Sequence, residues 1–137
     1  MALTSAPRLV LDTSAYARLR ARDQTVLDTV AKAETVYLPT IVLGELEAGF
    51  RLGRRAAENR AALAQFLEEP FTVVLPVTRD VAVIYGKLFS QLKTAGTPIP
   101  VNDIWIAACT LDARAHLLTF DRDFERVAGL DSILPER

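Results

Sequence analysis

Five acidic residues stand where this chain changes from one kind of segment to another. Asp12 follows the apolar run Arg8-Leu9-Val10-Leu11, and Glu45 comes about one turn into the helical segment after Thr35-Val36-Tyr37-Leu38-Pro39. Asp103 begins another helical segment, while Asp121 and Asp123 follow His116-Leu117-Leu118-Thr119-Phe120. Two carboxylates about 4 Å apart repel by roughly 4 kcal/mol at an effective dielectric of about 20. A cluster of three or four therefore takes up protons or binds a cation. An all-oxygen ligand set suits Mg²⁺ or Mn²⁺ better than zinc, and such ions can bridge a phosphodiester and activate a water for in-line attack. Each acid also has a local reading: Asp12, Asp103 and Asp121 can cap helices, and Glu45 can belong to a solvated helix face. Which reading holds depends on whether the fold gathers them.

Other chemistries find little support. Thr13 and Ser14 lack a neighbouring base, and the single His116 lies in an apolar run, where a core position is expected. The single Cys109 leaves no disulfide framework and no cysteine-rich zinc site, and one histidine leaves no histidine-based metal cluster.

The elements that must position the acids follow from periodicity. Arg8–Leu11 reads as a buried strand, and Ala15 to Ala33 as one or two short helices with Val26, Leu27 and Val30 inward. Thr35–Leu38 is a second strand stopped by Pro39, after which Thr40 can cap a helix over Ile41 to Leu52. Arg54 to Glu69 is helical, with Ala57, Ala61, Ala64 and Leu67 on one face and Leu63 and Phe66 alongside, and Pro70 ends it. Phe71–Leu75 is apolar throughout, as in a strand covered on both faces. Thr78 then caps a helix in which Val81, Ile84, Tyr85, Leu88, Phe89 and Leu92 recur at helical spacing, and Gly96 closes it. The loop Gly96 to Val101 leads to a helix over Asn102 to Ala113, with Ile104, Ala107, Ala108 and Leu111 inward and Trp105 in the core or an interface. His116–Phe120 is a fourth strand, and Asp131 to Leu134 a short edge strand. Alternating strands and helices predict an α/β fold: a central, mainly parallel sheet of four or five strands with helices on both faces, in one domain over residues 1–137. Such a sheet sends its strand ends, and the acids with them, to one rim.

Half of the residues are hydrophobic and 24% are charged, the balance of a compact globular domain. Sixteen Lys and Arg against seventeen Asp and Glu give a net charge of −1, so no global positive field attracts nucleic acid. A polyanion would have to be held by a local basic patch or through a bound cation. The start, Met1-Ala2-Leu3-Thr4-Ser5-Ala6-Pro7-Arg8, has no basic region before a long apolar run, and no stretch reaches about eighteen apolar residues. A cytoplasmic protein without membrane contact is expected.

Taken in order, Leu11-Asp12-Thr13-Ser14-Ala15, Gly44-Glu45-Leu46, Asn102-Asp103-Ile104-Trp105-Ile106-Ala107-Ala108 and Leu118-Thr119-Phe120-Asp121-Arg122-Asp123-Phe124 with Gly129-Leu130 resemble a PIN-domain ribonuclease. More narrowly, the chain is similar to the VapC toxins of type II toxin-antitoxin pairs, over nearly its whole length. The resemblance implies a PIN-like fold and a Mg²⁺-dependent endoribonuclease, with Mn²⁺ as an alternative ion. It implies that Asp12, Glu45, Asp103 and an acid of the Asp121 to Asp123 segment form the metal pocket, with Asp121 nearer the strand end and Asp123 either a ligand or a capping neighbour. Thr13, Thr119 and Asn102 are implied as hydrogen-bonding neighbours. It further implies a cognate antitoxin that occludes the pocket, and a homodimer.

A near-neutral nuclease must grip phosphates locally, and Phe50 to Arg60 holds four arginines against one glutamate. Arg51, Arg54 and Arg55, with Arg18, Arg20 and Arg22, are candidates for an RNA-binding rim; an ordinary solvated helix face is the alternative. The apolar side chains between Gly49 and Leu67 exceed what one core needs, as an interface would. A receiver-type signalling module fits less well, because no phosphorylatable Asp follows the third strand, which ends Leu75-Pro76-Val77. A phosphatase of the haloacid dehalogenase type wants a second Asp where Ser14 stands. A PIN-like protein that only binds a partner is the remaining alternative.

Overall fold

A computed structural model describes residues 6–135. The N-terminal residues read above as carrying no leader therefore lie mostly outside the described part. The chain alternates β1 (Arg8–Leu11), α1 (Thr13–Arg20), α2 (Gln24–Ala31), β2 (Thr35–Pro39), α3 (Thr40–Leu52), α4 (Ala56–Leu67), β3 (Thr72–Leu75), α5 (Arg79–Thr94), α6 (Val101–Ala113), β4 (His116–Leu118), a 3₁₀ turn (Arg122–Arg126) and β5 (Ser132–Ile133).

All ladder pairs are parallel, and the spatial order is β3-β2-β1-β4-β5. Val10 of β1 lies in register with Tyr37 of β2 on one side and Leu117 of β4 on the other. The chain therefore winds outward from β1 through β2 to β3, then crosses back to β4 and continues to β5. Right-handed crossovers put α1 to α4 on one face and the α5–α6 connection on the other. The reversal falls between β1 and β4, and a crevice outside their carboxyl ends is where open α/β sheets bind ligands.

The core is built on these central strands: Leu9, Val10, Leu11, Leu117 and Leu118 are fully buried. α6 packs Ile104, Ile106, Ala107 and Ala108 inward, the two alanines leaving room for close approach. Thr78 caps α5 as expected, its hydroxyl accepting from Val81 N at 3.3 Å. Trp105 stacks on Tyr85 with ring centroids 3.9 Å apart. No helix among the described residues is long and apolar enough to cross a membrane.

Four local expectations are corrected. β3 is an edge strand, and Val73 and Val74 are exposed rather than covered on both faces. Ala57, Ala61 and Ala64 of α4 face outward, and Leu63, expected alongside them, is the buried residue of the helix. His116 is exposed, because it stands at the first position of β4, ahead of the fully buried Leu117 and Leu118. Thr40 does not cap α3; Pro39 holds that position without a side-chain bond, and the Thr40 hydroxyl donates to Leu75 O at 2.9 Å.

Candidate active site

Asp12 is both the N-cap of α1 and the acid at the end of β1, so its two readings turn out to be one. Its backbone is extended (φ −83°, ψ −178°), and Oδ1 accepts from Ala15 N at 2.8 Å and from the Ser14 hydroxyl at 2.7 Å. The Thr119 hydroxyl donates to Oδ2. Only 4% of Asp12 is exposed, and burial raises its pKa against the lowering effect of these three bonds. The same hydroxyls tie β1 to the segment after β4: Ser14 Oγ accepts from Phe120 N and Thr119 Oγ1 from Asp121 N, each at 3.0 Å.

Glu45 is half-buried on the second turn of α3. The Thr13 hydroxyl donates to its Oε1 at 2.6 Å and Asn102 Nδ2 to its Oε2 at 3.3 Å. A carboxylate from one helix is thus held by donors on two others, α1 and α6. Asp103 lies in the first turn of α6 and makes no cap bond there. Its pKa is pushed up to about 7, first by burial and then by the charges of Asp121, Glu45, Asp12 and Asp123. A carboxyl that senses four others marks the point where the acids meet.

One carboxylate oxygen each from Asp103, Asp121 and Asp123 lies within 4.8 Å of the others. Asp121 also caps the 3₁₀ turn, accepting from Asp123 N at 2.9 Å, so here too a cap and a cluster member coincide. Asp123 pairs with Arg126 at 3.4 Å. Burial first, and then mutual repulsion among the half-buried carboxylates, raise the pKa of Asp103; a divalent cation relieves that repulsion, and an all-oxygen set fits Mg²⁺ or Mn²⁺. Asp12 and Glu45 border this group through their electrostatic effect on Asp103 and are not among the three oxygens close enough to share one ion directly. Ser14 and Arg126 were not singled out as site residues from sequence. The signal for Ser14 was its place beside Asp12; the signal for Arg126 was its spacing of three from Asp123.

The arginines are on different ground. Arg51 lies in the last turn of α3, about 9 Å along the axis from Glu45 at roughly 1.5 Å per residue, and Arg54 and Arg55 follow in the turn to α4. Arg51 and Arg54 are exposed and make no ion pair among the described residues. Arg55 forks onto Glu58 at 2.7 and 2.9 Å, and Arg60 grips Glu47 at 2.9 to 3.1 Å. Arg18 pairs with Asp23 at 3.4 Å and lies over the Phe120 ring, 4.5 Å from its centroid. Arg20 and Arg55 line an open cleft of about 360 Å³ with Tyr16, Leu46, Phe50 and Asn59.

The PIN domain family model matches residues 9–130. Ribonuclease VapC5 of Mycobacterium tuberculosis is 30% identical over 125 residues, covering 90% of each chain. Among solved structures, VapBC-1 of nontypeable Haemophilus influenzae superposes with a TM-score of 0.82 at 25% identity, over 93% of this chain and 97% of that one. VapBC-5 of Mycobacterium tuberculosis, described as a member of the VapBC family of toxin-antitoxin systems, gives 0.74 at 27% identity over 94% and 99%.

Proposed function

The chain belongs to the PIN-domain family, and from that premise we propose that it is an endoribonuclease toxin of a toxin-antitoxin pair, cutting RNA at the acidic rim between β1 and β4. The observation that carries the reading is the meeting of Asp103, Asp121 and Asp123 within 4.8 Å, bordered by Asp12 and Glu45.

In this reading Asp103, Asp121 and Asp123 hold a divalent cation, Mg²⁺ or Mn²⁺. When bound, such an ion supplies polarisation of the phosphodiester and a water of lowered pKa. Asp12 faces the same space with its carboxylate fixed by Thr119, Ser14 and the α1 backbone, so its orientation is set before substrate arrives. Thr13 and Asn102 do the same for Glu45. Asp103 gives up its proton for the site to load. No side-chain nucleophile is needed: Ser14 spends its proton on Asp12 and its lone pair on Phe120 N. Arg51 and Arg54 make the outer grip on RNA phosphates, with Arg55 contributing less because its fork is taken by Glu58.

The partners are a cognate antitoxin and a second copy of the chain, in the cytoplasm where RNA is met. VapBC assemblies among the structural relatives support the first. The outward alanines of α4 and Leu52, which is 90% exposed, offer apolar surface for such contacts. No observation favours the receiver or phosphatase alternatives.

The test is incubation of the purified, partner-free protein with total RNA, with and without Mg²⁺, beside Asp12→Asn. Cleavage should need the ion and fall at least about a hundredfold in the variant, as for loss of a group that stabilises developing charge. Cleavage that persists in a chelator, or survives Asp12→Asn, overturns the reading.

A further inference from the structure

Among the described residues Arg126 is the only basic side chain in ion-pair contact with any of the five acids. The contact follows from local geometry. In a 3₁₀ turn, residues three apart eclipse one another, so Arg126 stands over Asp123 as Glu125 stands over Arg122. Arg126 Nη1 is 3.4 Å from Asp123 Oδ1 and also donates to Pro98 O at 3.4 Å. The guanidinium is therefore tethered to the loop that leads into α6, the helix that carries Asp103. One carboxylate of the close triad already has a cation of its own, fixed from two sides.

We propose that Arg126 is a built-in counter-ion of the acidic site: it engages Asp123 in the ion-free protein, and a divalent cation binds only by sharing Asp123 with it or displacing it. Arg126 acts through Asp123 and is a positioning residue, not a catalytic one. It offsets repulsion at the outer edge of the triad, which helps three carboxylates stay together without an ion. It also weakens the ion's hold, because a third positive charge stands beside the two that the ion brings. Metal affinity is thus set partly by a residue that touches neither the ion nor RNA. The inference rests on the reading of the triad as a divalent-cation site.

Titration calorimetry with MnCl₂ tests it on the full chain, free of partner and RNA, at fixed pH and ionic strength. Arg126→Gln should bind Mn²⁺ about fivefold more tightly than the parent, the order expected for removing one partly exposed charge. Arg126→Lys, which keeps the charge, should stay close to the parent value. Arg122→Gln removes a charge from the same turn that is paired with Glu125, and should change the affinity by less than about twofold. In an Asp123→Asn background Arg126→Gln should have no comparable effect. Unchanged or weaker binding by Arg126→Gln overturns the inference, as does equal tightening by Arg122→Gln or Arg126→Lys. No Mn²⁺ uptake by the parent protein removes the metal-site reading itself, whereas parent binding that Arg126→Gln leaves unaltered removes only this inference.

Discussion

Asp103 combines its own burial with the charge of four neighbouring carboxylates, and the resulting pKa of about 7 makes it a reporter of the whole site. Its ordinary value is 3.8, so across the interval between the two the folded protein holds a proton that the unfolded chain has lost. The associated stability is fully present below about pH 4 and is lost as pH rises through about 7. In a chelator the melting temperature should therefore fall between pH 5 and pH 8, and Asp12, whose pKa is raised by burial, adds a contribution of the same sign. Asp103→Asn should melt higher than the parent at pH 8 and show a flatter profile; equal pH profiles for the two proteins, measured by calorimetry or circular dichroism, would contradict this. At this scale the sequence was informative because each acid sits at or within about two turns of a boundary between elements. It left open whether Asp12 and Asp121 are caps or members of an acidic cluster: both are caps, Asp121 also lies in the close carboxylate group, and Asp12 borders that group. Ser14 was weighed only as a nucleophile. Its link to Phe120 depends on β1 and β4 being neighbours, which no local pattern reveals.

At the scale of elements, the strands and the α-helices among the described residues fall within a few residues of their expected bounds, whereas the 3₁₀ turn Arg122–Arg126 carries no periodic signal and Ala15 to Ala33 does not show its division into α1 and α2. What periodicity also missed was which faces are covered. Thr72–Leu75 is as apolar as a central strand, yet the chain turns back after it, leaving β3 at the edge with Val73 and Val74 in solvent. An apolar residue states a preference for burial, whereas topology decides how many covered positions exist. The end of α6 holds a second feature without a sequence cue. Its C-cap, Arg114, is in the left-handed region at φ +53°, ψ +45°, where glycine usually stands. That bend turns the chain directly into β4, and so sets where Thr119 and Asp121 arrive. Arg114 is exposed and absent from the ion pairs found, so replacing it with glycine removes the Cβ clash without losing a contact. Arg114→Gly should raise stability by about 0.5 to 1 kcal/mol, read as a higher urea midpoint with an unchanged slope. A lower midpoint would mean that the arginine makes a compensating interaction.

The whole molecule has a net charge of −1 and places its acids at one rim, so its long-range field does little to draw RNA in. On the proposed reading, recruitment falls to the arginines around the α3–α4 turn, where two of the four are already matched by Glu58 and Glu47. On α4, Ala57, Ala61 and Ala64 form an outward stripe of small residues, and Leu52, the last residue of α3, is 90% exposed. Small side chains let another helix approach closely, and the exposed leucine supplies an anchor. If the antitoxin docks there, a charge in the middle of the stripe should harm the complex and nothing else. Ala61→Glu, already solvent-facing, should leave the melting temperature of the free protein within about a degree, because exposed substitutions cost within about 0.5 kcal/mol, and should leave RNA cleavage intact. It should weaken antitoxin binding at least tenfold, about 1.4 kcal/mol, when the labelled antitoxin is titrated and followed by fluorescence anisotropy. Sedimentation velocity of the free variant separates this from self-association: a parent dimer that falls apart in Ala61→Glu with antitoxin affinity unchanged would assign the stripe to the second copy instead.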